Sequence, residues 1–262
     1  MGDVETEGPP SPQAIERLLP WGVVLRGIRW GDGPDVTLLM HEPGLDVDAW
    51  GPLPVEIARQ LEIETIALDL PGHGLSDDPW EPARLPELLR NMPDLAPNVG
   101  RRFLIAAGAS ATAALEQAAA LGLSGLVCLS PLSPGDNWIP PRSPRVPKLF
   151  AAGSLAGSDL DNARRLAAAS GGWAVVTSFP VAERRTELLA SLWGGHLIAE
   201  IATFLRDCQR RPAHSSVPTD RTRPSSPSAP RGRSPFPVFT GPATRGGMPS
   251  RQTNRGEGSP RD

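Results

Sequence analysis

Residues 68–77 read LDLPGHGLSD. An apolar run, TIALDL, passes directly into Pro71, Gly72, His73 and Gly74, and then steps down to Asp77 and Asp78. The stretch is too compact for a linker and too rich in glycine for a helix. Glycine tolerates the left-handed backbone that a tight reversal needs, so the pattern reads as a turn at the end of a buried strand. Asp69 and His73 are the polar side chains it would hold in place.

Working outward from this turn, apolar strands alternate with helical segments. VVLRGIRWG and VTLLMHEPG read as strands, PLPVEIARQL as a helix and TIALDL as a strand. FLIAAG is a strand, TAALEQAAALG a helix with a glycine stop, and GLVCLSPL a strand. PKLFAAG and WAVVTSF are strands around the helix DLDNARRLAAASGG, and HLIAEIATFLRD is a closing helix. Such alternation predicts an α/β fold, a mostly parallel sheet flanked by helices. In open sheets of this kind, ligands sit at the carboxyl ends of the strands. The low-charge stretch from Phe103 to Leu132 holds Glu116 and Gln117, which favours a buried strand–helix–strand unit over a membrane span.

The stretch TLLMHEPGLDVDAWGPLPVEIARQLEIETIALDLPGHGLSDDPW resembles the amino-terminal half of the α/β-hydrolase superfamily. The likeness extends from about Val23 to about Asp207. In that family a strand ending in His-Gly leads through a helix and a strand to a turn of the form Asp-x-Pro-Gly-His-Gly-x-Ser. The resemblance implies that His73 is structural. It also implies a nucleophile elbow, Gly-x-Ser-x-Gly, between a strand and a helix. Gly108-Ala109-Ser110-Ala111-Thr112 stands in that setting, with Thr112 in place of the second glycine. Ser110 is the expected nucleophile; a serine there would otherwise cap a helix.

A serine nucleophile needs a base, an orienting acid and an oxyanion hole. The acid is expected in SLAGSDLDN, where Asp159 is preferred to Asp161; either would also suit a helix amino terminus. The family's histidine is missing from PVAERRTELLASLWGG, which carries Arg184-Arg185 before TELL. A guanidinium stays protonated and cannot act as a general base. His196 is the expected base, since the other downstream histidine, His214, lies in the tail. The oxyanion donors are expected at Ala111 and Glu42. Glu42 replaces the glycine of His-Gly, and an ungapped alignment would instead place the donor at Pro43, which has no N–H. The short connection SPGDNWIPPRSPRV implies an α/β-hydrolase fold without a cap domain. Trp50, Trp80 and Trp138 would then line an open cleft or serve as packing residues.

Charge divides the chain. Residues 209–262 carry ten arginines against three acids, so the remaining body holds about ten net negative charges of the overall −3. The expected organisation is a disordered arm over 1–14, one domain over 15–207 and a disordered Arg/Pro/Ser-rich tail over 208–262. The acidic body argues against nucleic-acid binding. Cys128 and Cys208 are too few for a disulfide framework, and the opening MGDVETEGPPSPQ is not a secretory signal, which together point to the cytoplasm. No membrane segment, metal-ligand cluster or cofactor fingerprint stands out. Two functions fit: a serine hydrolase acting on small esters or amides, or a non-catalytic relative that binds a ligand or partner. The sequence leaves the oligomeric state open.

Overall fold

Successive residues of a strand face opposite sides of a sheet, so a strand apolar at every position must be covered on both faces. β3 (Val36–Met40), β5 (Arg102–Ala107), β6 (Gly125–Leu129) and β7 (Lys148–Gly153) come close to this, polar only at Thr37, Arg102 and Lys148, and all but Arg102 in them is buried. The computed structural model describes residues 8–91, 95–96, 100–135 and 137–212. The expectations for 1–7 and 213–262 lie outside the described residues.

Eight strands form one sheet in the order β1-β2-β4-β3-β5-β6-β7-β8, with β1 (Gln13–Leu18), β2 (Val24–Trp30), β4 (Glu64–Leu68) and β8 (Ala174–Phe179) completing the set. β1 and β2 are antiparallel to their neighbours, and every pairing from β4 to β8 is parallel. The α/β class and the mostly parallel sheet are therefore as expected. β1 begins at Gln13 and the closing helix ends at Arg210, so the fold overruns the expected 15–207 bounds on both sides.

Two apolar layers sandwich the sheet. Leu104, Ala106, Leu126, Cys128 and Phe150 pack on one face with α2 (Leu85–Arg90), α3 (Gly108–Gln117) and α4 (Asp159–Ser170). Phe103, Ile105, Val127, Leu129 and Leu149 pack on the other with α1 (Leu53–Leu61), α5 (Glu187–Ala190) and α6 (Gly194–Arg210). In α1 the buried Leu53, Ile57 and Leu61 recur every fourth residue, as do Leu197, Ile201 and Leu205 in α6. Among the described residues, 130–147, between β6 and β7, contains no helix or strand. Arg165 and Asn162 of α4 anchor this connection by donating to Trp138 O and Pro131 O.

At the opposite edge, Lys148 is fully buried, and its ammonium donates to Ser143 O and Val146 O at 2.8 Å and to Gly171 O at 3.1 Å. Burial pulls its pKa down to about 8, which still leaves it charged at pH 7 with one carbonyl for each N–H. This one group fixes the entries to β7 and β8. Replacing Lys148 with Met would leave Val146 O and Gly171 O without a donor, each costing about 1–3 kcal/mol when shut off from water, while Ser143 O keeps Val146 N at 3.1 Å. Denaturant unfolding of the full chain at pH 7 is expected to show Lys148→Met destabilised by about 3 kcal/mol.

Candidate functional site

The carboxyl ends of β3, β4, β5, β7 and β8 deliver His41, Asp69, Gly108, Ser154 and Pro180 to one edge of the sheet. Asp69 organises that edge. Its carboxylate accepts from Val47 N at 2.8 Å and Leu75 N at 2.9 Å, while Ser76 Oγ donates to Asp69 O at 2.8 Å. The 68–77 segment closes around it. Gly74 has φ 49°, and a Cβ there would lie 2.1 Å from Asp69 Oδ2, so both the conformation and the approach require glycine.

His41 is fully buried between this turn and β5. Its Nε2 accepts from Leu70 N at 3.0 Å and its Nδ1 lies 2.8 Å from Glu42 O. That pairing selects the neutral tautomer with the proton on Nδ1, and burial lowers the pKa in the same direction. Asp69 Oδ1, 4.0 Å away, is therefore a neighbour of a neutral ring rather than an ion-pair partner. His73 lies 2.8 Å from Pro71 O through Nδ1 and packs its ring between His41 and Trp80, with centroids 5.5 and 5.1 Å away.

β5 turns into α3 at Gly108, which has φ 55°. Ser110 has no left-handed backbone; it lies inside the first turn of α3, fully buried, and its hydroxyl donates to His41 O at 2.6 Å. Thr112 is similarly occupied, donating to Leu132 O. A Cβ built on Gly108 would point at Glu42 and Arg185, 2.5 Å from Glu42 Oε2 and 3.3 Å from Arg185 Cδ. These two side chains meet in front of the turn, with Arg185 Nη1 2.7 Å from Glu42 Oε2. Arg185 itself is left-handed at φ 57° and is held through its N–H by Ser130 Oγ at 3.1 Å. Burial pushes the Glu42 carboxyl upward, opposed by the Arg185 guanidinium.

The remaining expected site residues are dispersed. Asp159 opens α4 and faces Arg184, with Oδ2 3.5 Å from Nε, whereas the Asp161 side chain is 84% exposed. Arg184 also donates to Ala156 O at 2.7 Å. His196 lies exposed near the start of α6, its ring 5.1 Å from that of Trp193. No hydrogen bond or ion pair among the described residues joins His196 to Ser110, Asp159 or Asp161. Ala111 is fully buried, and Trp50 is core rather than cleft lining. Trp80 and Trp138 pack against the core layer that contains β5 Leu104. No group of three His, Cys, Asp or Glu among the described residues could hold a metal ion.

Solved structures share this overall fold. An esterase from Pyrococcus furiosus matches with a TM-score of 0.60 at 12% identity, covering 76% of this chain and 93% of that one. A hydrolase from Pseudomonas aeruginosa gives 0.59 at 15% identity over 73% and 98%. A monoacylglycerol lipase from Paleococcus ferrophilus gives 0.58 at 14% over 70% and 99%. The chain has the α/β-hydrolase fold. No protein-family model matches it, and no curated protein is significantly similar. No helix among the described residues is long and apolar enough to cross a membrane.

Sequence reading picked out Arg184 and Arg185 only as replacements for a histidine. Their partners, Glu42 and Asp159, depend on chain segments far apart in sequence. If Glu42 and Arg185 support each other, Arg185→Leu leaves a desolvated carboxylate. The pair is partly open to solvent, so the loss at pH 7 is expected near 1–2 kcal/mol, below that of a buried pair. Glu42 protonates more readily when folded than unfolded, so its charge weighs on the fold as pH rises through that range. The Arg185→Leu deficit should therefore shrink as pH falls through the carboxylate range, as measured by thermal unfolding of both proteins across pH.

Proposed function

We propose that this chain is a non-catalytic α/β-hydrolase-fold protein that works by binding. The observation that carries this reading is the backbone reversal at Gly108. In this fold the nucleophile occupies the strained turn between strand and helix, where its side chain projects over the sheet edge. Here that place belongs to a residue without a side chain. Ser110 stands two residues further on, its hydroxyl committed to a backbone carbonyl. With the turn at Gly108, the oxyanion donor that follows the nucleophile would be Ala109 instead of Ala111.

The other catalytic places support the same reading. Glu42 and Arg185 put an ion pair where substrate carbonyl, serine and histidine would meet, and Arg184 takes the carboxylate of Asp159. An arginine cannot relay a proton at neutral pH. In this proposal the described residues of 133–146 provide no helical cap, and a small molecule is bound without insertion into a membrane. The two buried, free cysteines fit a cytoplasmic setting.

The competing reading is a serine hydrolase for small esters or amides, using Ser110, Asp159 and His196 with Ala111 and Glu42 as oxyanion donors. The names of the structural neighbours favour it. It requires Ser110 to leave the His41 carbonyl and His196 to move in from an exposed surface. General-base assistance typically contributes 10²–10⁴-fold, so its presence is easy to detect. A panel of activated and simple esters is expected to give the same slow rates for wild type, Ser110→Ala and His196→Ala. A wild-type rate a hundredfold above that of Ser110→Ala would replace the binding reading with the hydrolase one.

A further inference from the structure

The amino-terminal edge of the sheet carries a feature that the centre at the opposite edge leaves unexplained. A groove of about 490 Å³ runs past the starts of β5, β6 and β7. Four of its lining residues are Arg101, Arg102, Arg145 and Arg211, and no carboxylate is among them. This gathering of positive charge lies in a body whose net charge is strongly negative. Apolar groups line part of the groove, with Ala119 and Pro212 exposed to the space. Its volume falls in the ordinary range for small-molecule sites.

The guanidinium groups are unevenly satisfied. Arg101 Nη1 lies 3.6 Å from Asp35 Oδ2, and its Nη2 donates to Arg211 O at 3.2 Å. Asp35 also accepts from Gln209 Nε2 at 3.2 Å, so this carboxylate is already shared. The Arg211 guanidinium sits 3.7 Å from the Trp173 ring centre, which fixes its plane without neutralising it. Arg102 Nη2 donates to Ala96 O at 3.3 Å, yet its Nε is buried with no partner. Arg145 is exposed and makes no ion pair or side-chain hydrogen bond among the described residues. Buried donors normally find acceptors, and neighbouring like charges repel. Planar guanidinium forks match phosphate oxygens in pairs, so a phosphate in the groove would relieve the repulsion between these arginines.

We propose that this groove is a binding site for a small phosphate-bearing molecule with an apolar body. Arg102 and Arg145 hold the phosphate, Arg101 and Arg211 shape the wall, and the apolar surface at Ala119 and Pro212 takes the apolar part. The site is separate from the Glu42–Arg185 centre and stands whether or not that centre performs chemistry.

The test titrates the full chain with phenyl phosphate, inorganic phosphate, sulfate and phenol at matched ionic strength, read by calorimetry. Phenyl phosphate is expected to bind saturably and more tightly than the inorganic anions, with phenol silent. Arg145→Ala, which removes an exposed side chain and should fold normally, is expected to weaken binding at least tenfold. Arg102→Gln should do the same if its melting temperature is kept, and Arg164→Ala, on the outer face of α4, should change nothing. Failure of phenyl phosphate to bind saturably would overturn the proposal. Unchanged affinity in Arg145→Ala would also overturn it, assigning the signal to the eight arginines of residues 213–262. Tighter binding of a duplex oligonucleotide that is lost in Arg145→Ala would overturn the small-molecule assignment in favour of nucleic acid.

Discussion

The chain leaving β5 reverses into α3 at a single residue, and only one backbone conformation makes that reversal possible. Gly108 adopts it at φ 55°, where a side chain would cost of order 1–3 kcal/mol. The position of the reversal decides which residue looks out over the sheet edge and which looks in. Because it falls at Gly108, Ser110 is carried into the first helical turn and under the end of β3. Glu42 and Arg185 then occupy the volume that a side chain at the turn would need. The carboxyl edge of the sheet is thus held by contacts between β3, β5 and the segment after β8.

The turn over residues 68–77 is a second support of the same edge. Asp69 ties it to Val47 and Leu75, while Ser76 links the backbones of Arg26 and Asp69. His41 and His73 fill the space beneath. Ser110, His41 and Asp69 are here the hydrogen-bonding partners of buried backbone, the role polar groups must have when they leave water.

Much of the fold was legible because a parallel sheet buried on both faces requires apolar runs such as TLLM, FLIAA and LVCL. β1 escaped notice. QAIERL lies at the sheet's edge, where Ile15 alone of its residues is buried and the apolar signal is thin. α2 and α5 are short and open or follow turn-like sequences. His73 was legible as structural through the resemblance of its turn to that of the α/β-hydrolase superfamily. The candidate site was not legible in the same way. Gly108 and Ser110 both fit a strand–turn–helix pattern of small residues, and a spacing motif cannot tell which of them carries the positive φ. The helix was expected to begin at Thr112 but begins at Gly108, and those four residues move the turn from the serine to the glycine. The pairing of Glu42 with Arg185 joins residues more than a hundred positions apart, beyond the reach of local pattern.

The central claim is that the residue at the turn after β5 has no nucleophile and that Ser110 is inaccessible. A fluorophosphonate probe reacts with an activated serine independently of the substrate's acyl group, so intact-mass spectrometry of the full chain after incubation tests the claim without a chosen ester. The account predicts an unmodified mass under conditions that fully label a serine esterase run alongside. Stoichiometric addition of one phosphonyl group, mapped to Ser110 and absent in Ser110→Ala, would contradict it.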